Sequence, residues 1–89
     1  MLTLEECIAL SELTEDEVLA IAEHEHIPQM AAVELGSYLV ASADGRNRIK
    51  RMILDDMQAA RDHGNRAHVA TLKLVLKHFV DNHAGVVAD

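Results

Sequence analysis

Two copies of one helix-start motif lie within the first 17 residues and fix where this chain can begin to fold. Thr3-Leu4-Glu5-Glu6 and Thr14-Glu15-Asp16-Glu17 each place a threonine three residues before a glutamate. In a capping box of this kind, the hydroxyl and the carboxylate each satisfy one free backbone N–H at the helix start. The acids of both first turns also suit the positive end of the helix dipole. The motifs therefore predict helix 1 over about 4–11 and helix 2 over about 15–25.

Proline and glycine mark the next boundaries. Pro28 stops helix 2 and suits the first position of helix 3, where its missing N–H costs nothing. Helix 3 is apolar nearly all round and is predicted to run to Val40, so it must be covered on several sides. The segment 41–45 (Ala-Ser-Ala-Asp-Gly) is predicted to be a break, and helix 4 is predicted over about 46–62.

A tight turn is predicted between helix 4 and the last helix. Gly64 suits the end of helix 4 and Asn65 can cap helix 5, which is predicted to run to about 82. Helices 4 and 5 should therefore form an antiparallel hairpin. The apolar residues at helical spacing are expected to form the core, namely Leu13, Val18, Ile21, Leu35, Leu39, Ile49, Ile53, Met57, Leu72, Val75, Leu76 and Phe79.

The composition agrees with an all-α fold. Apolar residues make up 49% of the 89 residues, yet there are only two aromatic ones, four glycines and one proline. Such an aliphatic chain favours helices over a sheet. We expect an all-α, five-helix compact bundle, with three short helices packed against a C-terminal antiparallel helix hairpin. Residues 1–84 should form one domain, and 85–89 a mobile tail, because they carry no cap or periodic pattern.

Charge is divided sharply along the chain. Residues 1–45 contain ten acids and no lysine or arginine, whereas residues 46–89 contain all eight lysines and arginines, and the net charge is −7. Opposite charges of this kind can attract each other within one chain or between two. The basic cluster at Arg46, Arg48 and Arg51 opens helix 4, where positive charge opposes the dipole. Pairing with the acidic half is the favoured interpretation, and a site for an anion or phosphorylated metabolite is the alternative.

Several functional classes fit the sequence poorly. The second helix of a supposed helix-turn-helix would begin with three acids and repel phosphates, so we expect no DNA or RNA partner. No apolar run is long enough to span a bilayer, so no membrane association is expected. The N-terminus lacks the basic region of a signal peptide, and Cys7 is the single cysteine. A cytoplasmic location is the simplest expectation.

The segment 22–28 (AEHEHIP) is the best candidate for a metal site. Glu23 and His26 are three residues apart, a spacing that supplies two ligands in di-iron helical bundles. A second copy of the motif is missing from the sequence, so a homodimer would have to complete the site. The favoured alternative is structural. The histidines would then stabilise the negative end of helix 2, and Glu25 would accept hydrogen bonds from the start of helix 3.

Three stretches carry a resemblance to known sequences. Residues 13–28 (LTEDEVLAIAEHEHIP), 34–39 (ELGSYL) and 72–79 (LKLVLKHF) are similar to short proteobacterial proteins without an assigned activity. The resemblance covers nearly the whole chain and implies a stand-alone bacterial domain. It transfers no catalytic or binding residues.

No motif in the sequence identifies a function, so the functional hypotheses depend on the expected surface properties. The preferred hypothesis is a non-enzymatic binding or regulatory module that self-associates, since helix 3 has more apolar surface than its short neighbours can cover. A protein partner is a further possibility, and no cofactor is expected. The alternatives are metal binding at Glu23 and His26, and anion binding at the start of helix 4.

Overall fold

The computed structural model describes residues 1–83, which form five α-helices and contain no β-strand. The predicted mobile tail, 85–89, lies outside the described residues. Within this range no helix is both long enough and apolar enough to cross a membrane. The all-α prediction is confirmed, and the helices are α1 Leu4–Leu10, α2 Glu15–Glu25, α3 Gln29–Val40, α4 Ala43–Asp62 and α5 Arg66–His83.

Both predicted capping boxes are present. The Thr3 hydroxyl accepts a hydrogen bond from the Glu6 N–H at 3.1 Å, and Glu6 Oε1 accepts one from the Thr3 N–H at 2.8 Å. Thr14 and Glu17 form the same pair of bonds at 3.2 and 2.9 Å. Because each box involves residues only three apart, the starts of α1 and α2 agree with the sequence-based prediction.

The boundary between α3 and α4 was predicted incorrectly. Residues 41–45 were expected to be a break, but α4 begins at Ala43, with Ser42 as its N-cap. The Ser42 hydroxyl accepts a hydrogen bond from the Gly45 N–H at 3.0 Å. Gly45 lies inside the first turn, where an added Cβ would come within 1.9 Å of the Leu39 carbonyl oxygen. The lack of a side chain at Gly45 therefore permits α3 and α4 to approach closely, and this glycine does not break the helix.

The helix α4 is the centre of the packing. It contacts α2, α3 and α5, and α5 runs back along it after the turn at Gly64, which has φ 70°. Asn65 Oδ1 caps α5 by accepting a hydrogen bond from the His68 N–H at 3.1 Å. Helices α2 and α3 thus pack against an antiparallel pair, as the sequence predicts, whereas α1 packs mainly on α3.

The predicted core is largely correct. Ten of the twelve predicted residues are buried, whereas Leu35 and Leu76 are half-buried and pack against the core from its edge. Gly36 on α3 lies in close contact with Leu13, just before α2, and with Ile21 on α2. A Cβ at Gly36 would lie 2.4 Å from Leu13 Cδ1 and 3.0 Å from Ile21 Cδ1. The sequence reasoning omitted further buried residues, namely Ala20, Ala32, Val33, Val40, Met52 and Ala60.

Candidate functional site

Ionisable side chains from three helices meet where the end of α2 crosses the middle of α4 and the start of α5. We call this group the histidine–carboxylate cluster, and it consists of Glu23, His24, Asp55, Asp56 and His68. The residues that contact each other across the helices are 31 and 45 positions apart in the sequence, so the tertiary fold alone brings them together. The cluster joins the acidic half of the chain to the half that contains the lysines and arginines.

Two histidines form the contacts between the helices. His68 Nε2 lies 2.8 Å from Glu23 Oε1 and connects α5 to α2. His24 Nε2 lies 3.0 Å from Asp55 Oδ2 and connects α2 to α4. The second ring nitrogen of His24, Nδ1, lies 2.9 Å from Glu25 Oε2. Since both nitrogens of His24 face carboxylate oxygens, the doubly protonated imidazolium satisfies both contacts.

The surroundings of His24 favour its charged form. Partial burial by itself would lower the pKa of His24, but the hydrogen bonds with Glu25 and Asp55 outweigh that effect and raise it. The charge of nearby Asp56 adds to the increase. Because these contacts are partly exposed to solvent, each contributes little to stability, on the order of 1 kcal/mol or less.

Asp56 lies beneath these pairs and is the most perturbed member of the cluster. It is 4% exposed, and its Oδ2 has no hydrogen-bond partner among residues 1–83. Burial, followed by the negative charge of Glu23, raises the pKa of Asp56 to about 7, although His24 and His68 oppose the increase. The Asp56 carboxyl therefore changes its protonation state near neutral pH.

The cluster can bind and release protons between three helices. A carboxyl with a pKa near 7 has the property required of a general acid or base. However, the two pockets that the structure describes are lined by residues outside the cluster. The exposed members of the cluster are bonded to one another across the contacts of α2 with α4 and α5.

The candidate metal ligands lie in different environments. Glu23 is bonded to His68, whereas His26 is exposed and lies one residue beyond the last residue of α2, with φ 58°. Among residues 1–83, no group of three or more His, Cys, Asp or Glu side chains could hold a metal ion. Ligands from a second chain would have to complete such a site, so metal binding stays a prediction. The expected capping of α3 by Glu25 is absent, because no side chain caps the start of that helix.

The three candidate anion-binding arginines do not act as one group. Arg46 is buried, and its Nη1 donates a hydrogen bond to the Val40 carbonyl oxygen at 2.7 Å, near the end of α3. Arg48 and Arg51 are exposed on the other side of α4. Arg51 lines a pocket of about 240 Å³ together with Lys50. Arg46 is thus used to join α3 to α4, where the free carbonyl groups of a helix end attract a cation.

The expected pairing between the start of α4 and the acidic half is wrong. In the described part of the chain, the one ion pair made by a lysine or arginine joins Lys77 to Asp81 within α5, at 3.0 Å. The contacts between the two halves are made by His24 and His68 instead. Histidine offers a partner that is charged or neutral near neutral pH, unlike arginine.

Sequence reasoning missed Asp56 although a signal was present. Asp56 is three residues after Ile53 and four before Ala60, which places it on the apolar side of α4. An acid at such a position is buried unless the helix is uncovered there. The neighbouring His24 and His68 had no local signal, because their contacts with Asp55 and Glu23 depend on how two helices dock.

No family model matches the sequence, and no curated protein or solved structure shows significant similarity to it. The resemblance to short proteobacterial proteins therefore stays a prediction. What the chain does is inferred below from its own residues.

Proposed function

We propose that this chain is a non-enzymatic binding or regulatory module that acts as a homo-oligomer. The observation that carries the proposal is the outer face of α3, formed by Met30, Glu34 and Tyr38 at a spacing of four residues. Met30 is 42% exposed and Tyr38 is 77% exposed. An exposed aromatic side chain on an otherwise apolar helix is typical of surfaces that bind another protein.

A second copy of the chain suits this surface because the charges of each copy are left unpaired. The acids in the first turns of α1 and α2 are mostly exposed, and so are Arg48 and Arg51 on α4. None of the ion pairs within residues 1–83 joins an arginine or lysine to the acidic half. Two copies can therefore place the acidic surface of one against the basic surface of the other, which favours association and orients it.

The histidine–carboxylate cluster supports the regulatory part of the proposal. It joins three helices and contains the buried Asp56, whose pKa is raised to about 7, and His24, whose pKa is raised above 6.5. Protonation can therefore alter how α2 rests on α4 and α5 without any chemical step. A change in the position of α2 would also reach α3, against which α2 packs.

Sedimentation equilibrium tests the proposal with one informative variant. The wild-type chain should be dimeric at roughly 10–100 µM, a range typical of weak but specific association. Tyr38→Ser removes the aromatic ring from the outer face of α3 and should give monomers. Leu74→Ser is the matched control, because Leu74 is 60% exposed but lies on α5. It should leave the dimer intact.

Fluorescence gives an independent measurement. Tyr38 is the only tyrosine and the chain has no tryptophan, so the intrinsic emission reports on this one side chain. Burial of Tyr38 in a dimer should protect it from acrylamide quenching as protein concentration rises. A wild-type chain that stays monomeric throughout this range, or a Tyr38 that stays equally quenchable, would contradict the proposal.

A further inference from the structure

A strongly basic pocket lies at the turn between α4 and α5. It has a volume of about 510 Å³ and lies between the end of α4 and the first two turns of α5. This volume falls within the roughly 300–1,000 Å³ typical of small-molecule sites. Three of its seven lining residues are cationic, namely Arg61, Arg66 and Lys73, and none is acidic.

Within residues 1–83, no carboxylate neutralises these three cations through an ion pair. The chain as a whole carries a net charge of −7, so acids were available in number. Arg66 is also the first residue of α5, where its charge adds to the positive end of the helix dipole. Three like charges around one cavity repel each other unless an anion lies between them.

The remaining lining indicates the kind of anion. Val69 and Ala70 supply an apolar wall. The space beside Gly64 is open, because a Cβ placed there would meet no atom within 4 Å. Arginine binds phosphate oxygens through two parallel N–H donors, and lysine adds a point charge. Such a lining suits a phosphate group joined to a compact apolar body.

We infer that the pocket bounded by Arg61, Arg66 and Lys73 binds a phosphomonoester that carries an apolar group. This pocket is distinct from the anion site predicted at the start of α4. At that predicted site, Arg46 is not available to an anion because it donates a hydrogen bond to the Val40 carbonyl oxygen. It is also independent of the outer face of α3, so monomeric and dimeric protein should both bind. The phosphate accepts hydrogen bonds from the two guanidinium groups, and the organic part packs against Val69 and Ala70.

Titration with phenyl phosphate, followed by ¹H–¹⁵N correlation spectra, tests the inference. Shift changes should centre on residues 64–70, and inorganic phosphate should bind more weakly because it lacks the apolar group. The double variant Arg61→Gln/Arg66→Gln should weaken binding at least about tenfold, as expected for losing two charge-assisted contacts. Arg48→Gln/Arg51→Gln makes the same change in net charge on the outer side of α4 and should leave binding unchanged.

Four outcomes would overturn the inference. Shift changes that centre on residues 46–54, or equal weakening in both double variants, would show attraction to charge without a site at the turn. Equal affinity for phenyl phosphate and inorganic phosphate would show that the apolar group of the ligand does not contribute to binding. Loss of the dimer in Arg61→Gln/Arg66→Gln alone, without any shift on adding phenyl phosphate, would identify the occupant as the acidic surface of a second copy.

Discussion

Asp56 gives the sharpest quantitative prediction, because the fold holds this carboxyl in surroundings that disfavour its charge. Burial, with the charge of Glu23 next in effect, raises its pKa from the ordinary 3.8 to about 7. Its Oδ2 has no hydrogen-bond partner among residues 1–83. The ionised form is therefore less stable in the folded chain than in the unfolded chain.

The direction of the pH dependence follows from proton binding. Between about pH 4 and pH 7 the folded chain keeps the Asp56 proton while the unfolded chain loses it, so the free energy of unfolding falls as pH rises. The difference between 3.8 and about 7, at about 1.4 kcal/mol for each pKa unit, corresponds to roughly 4 kcal/mol. That is a large part of the stability of a small domain.

His24 acts in the same direction over a neighbouring range. Its pKa in the folded chain is raised above 6.5. The stability it contributes is therefore complete below pH 6.5 and is lost as pH rises through the folded value. Both groups predict a wild-type chain that is less stable in mildly alkaline than in mildly acidic solution.

The substitution Asp56→Asn isolates the larger effect. Asparagine has nearly the shape of the protonated acid but cannot ionise, so the variant should match wild type at about pH 4 and exceed it by up to about 4 kcal/mol at about pH 8. Urea unfolding followed by circular dichroism at 222 nm measures this difference. Asp55→Asn is the matched control. Asp55 is exposed, and its loss should change stability by about 1 kcal/mol or less at either pH.

Two results would refute this reasoning. If Asp56→Asn retained the wild-type pH dependence, the carboxyl would not be the group that titrates near pH 7. If Asp56→Asn were less stable than wild type at about pH 8, the ionised carboxylate would have partners that outweigh its burial.

Four further substitutions test the fold itself. Gly45→Ala should destabilise the chain by about 1–3 kcal/mol although alanine favours helices, because its Cβ would meet the Leu39 carbonyl oxygen. Gly64→Ala should destabilise the chain by about 1 kcal/mol, because Gly64 has φ 70° although the space around it is open. A Gly45→Ala variant that proved more stable than Gly64→Ala in urea unfolding would contradict this reasoning. Thr14→Ala should cost about 1 kcal/mol by removing the cap of α2. Thr3→Ala should lower global stability less and mainly speed hydrogen exchange in α1, because that helix has no buried residue and can open locally.

The helices of this protein could be predicted largely from local sequence. The capping boxes at Thr3 and Thr14 lie within four residues, so their hydrogen bonds form whenever those segments become helical. The periodic apolar residues likewise predict most of the core. The error at the start of α4 arose because Gly45 has two possible roles. A glycine can end a helix or let two helices approach, and the position of Leu39 decides between them.

The ionisable groups could not be placed in this way. The charge division along the chain predicts pairing between its halves, yet arginine and lysine do not form those pairs within residues 1–83. The contacts are made by His24 with Asp55 and by His68 with Glu23, which are 31 and 45 residues apart. The register at which α2 docks against α4 and α5 selects these partners, and the core packing sets that register.

The sequence by itself determined an all-helical chain, the starts of α1 and α2 and most of the apolar core. Each of these depends on interactions among residues a few positions apart or on a repeating pattern. Tertiary structure alone decided that Arg46 faces inward, that Oδ2 of the buried Asp56 has no hydrogen-bond partner among residues 1–83, and that a basic pocket forms at the α4–α5 turn. These features depend on distances between helices, which no local pattern contains.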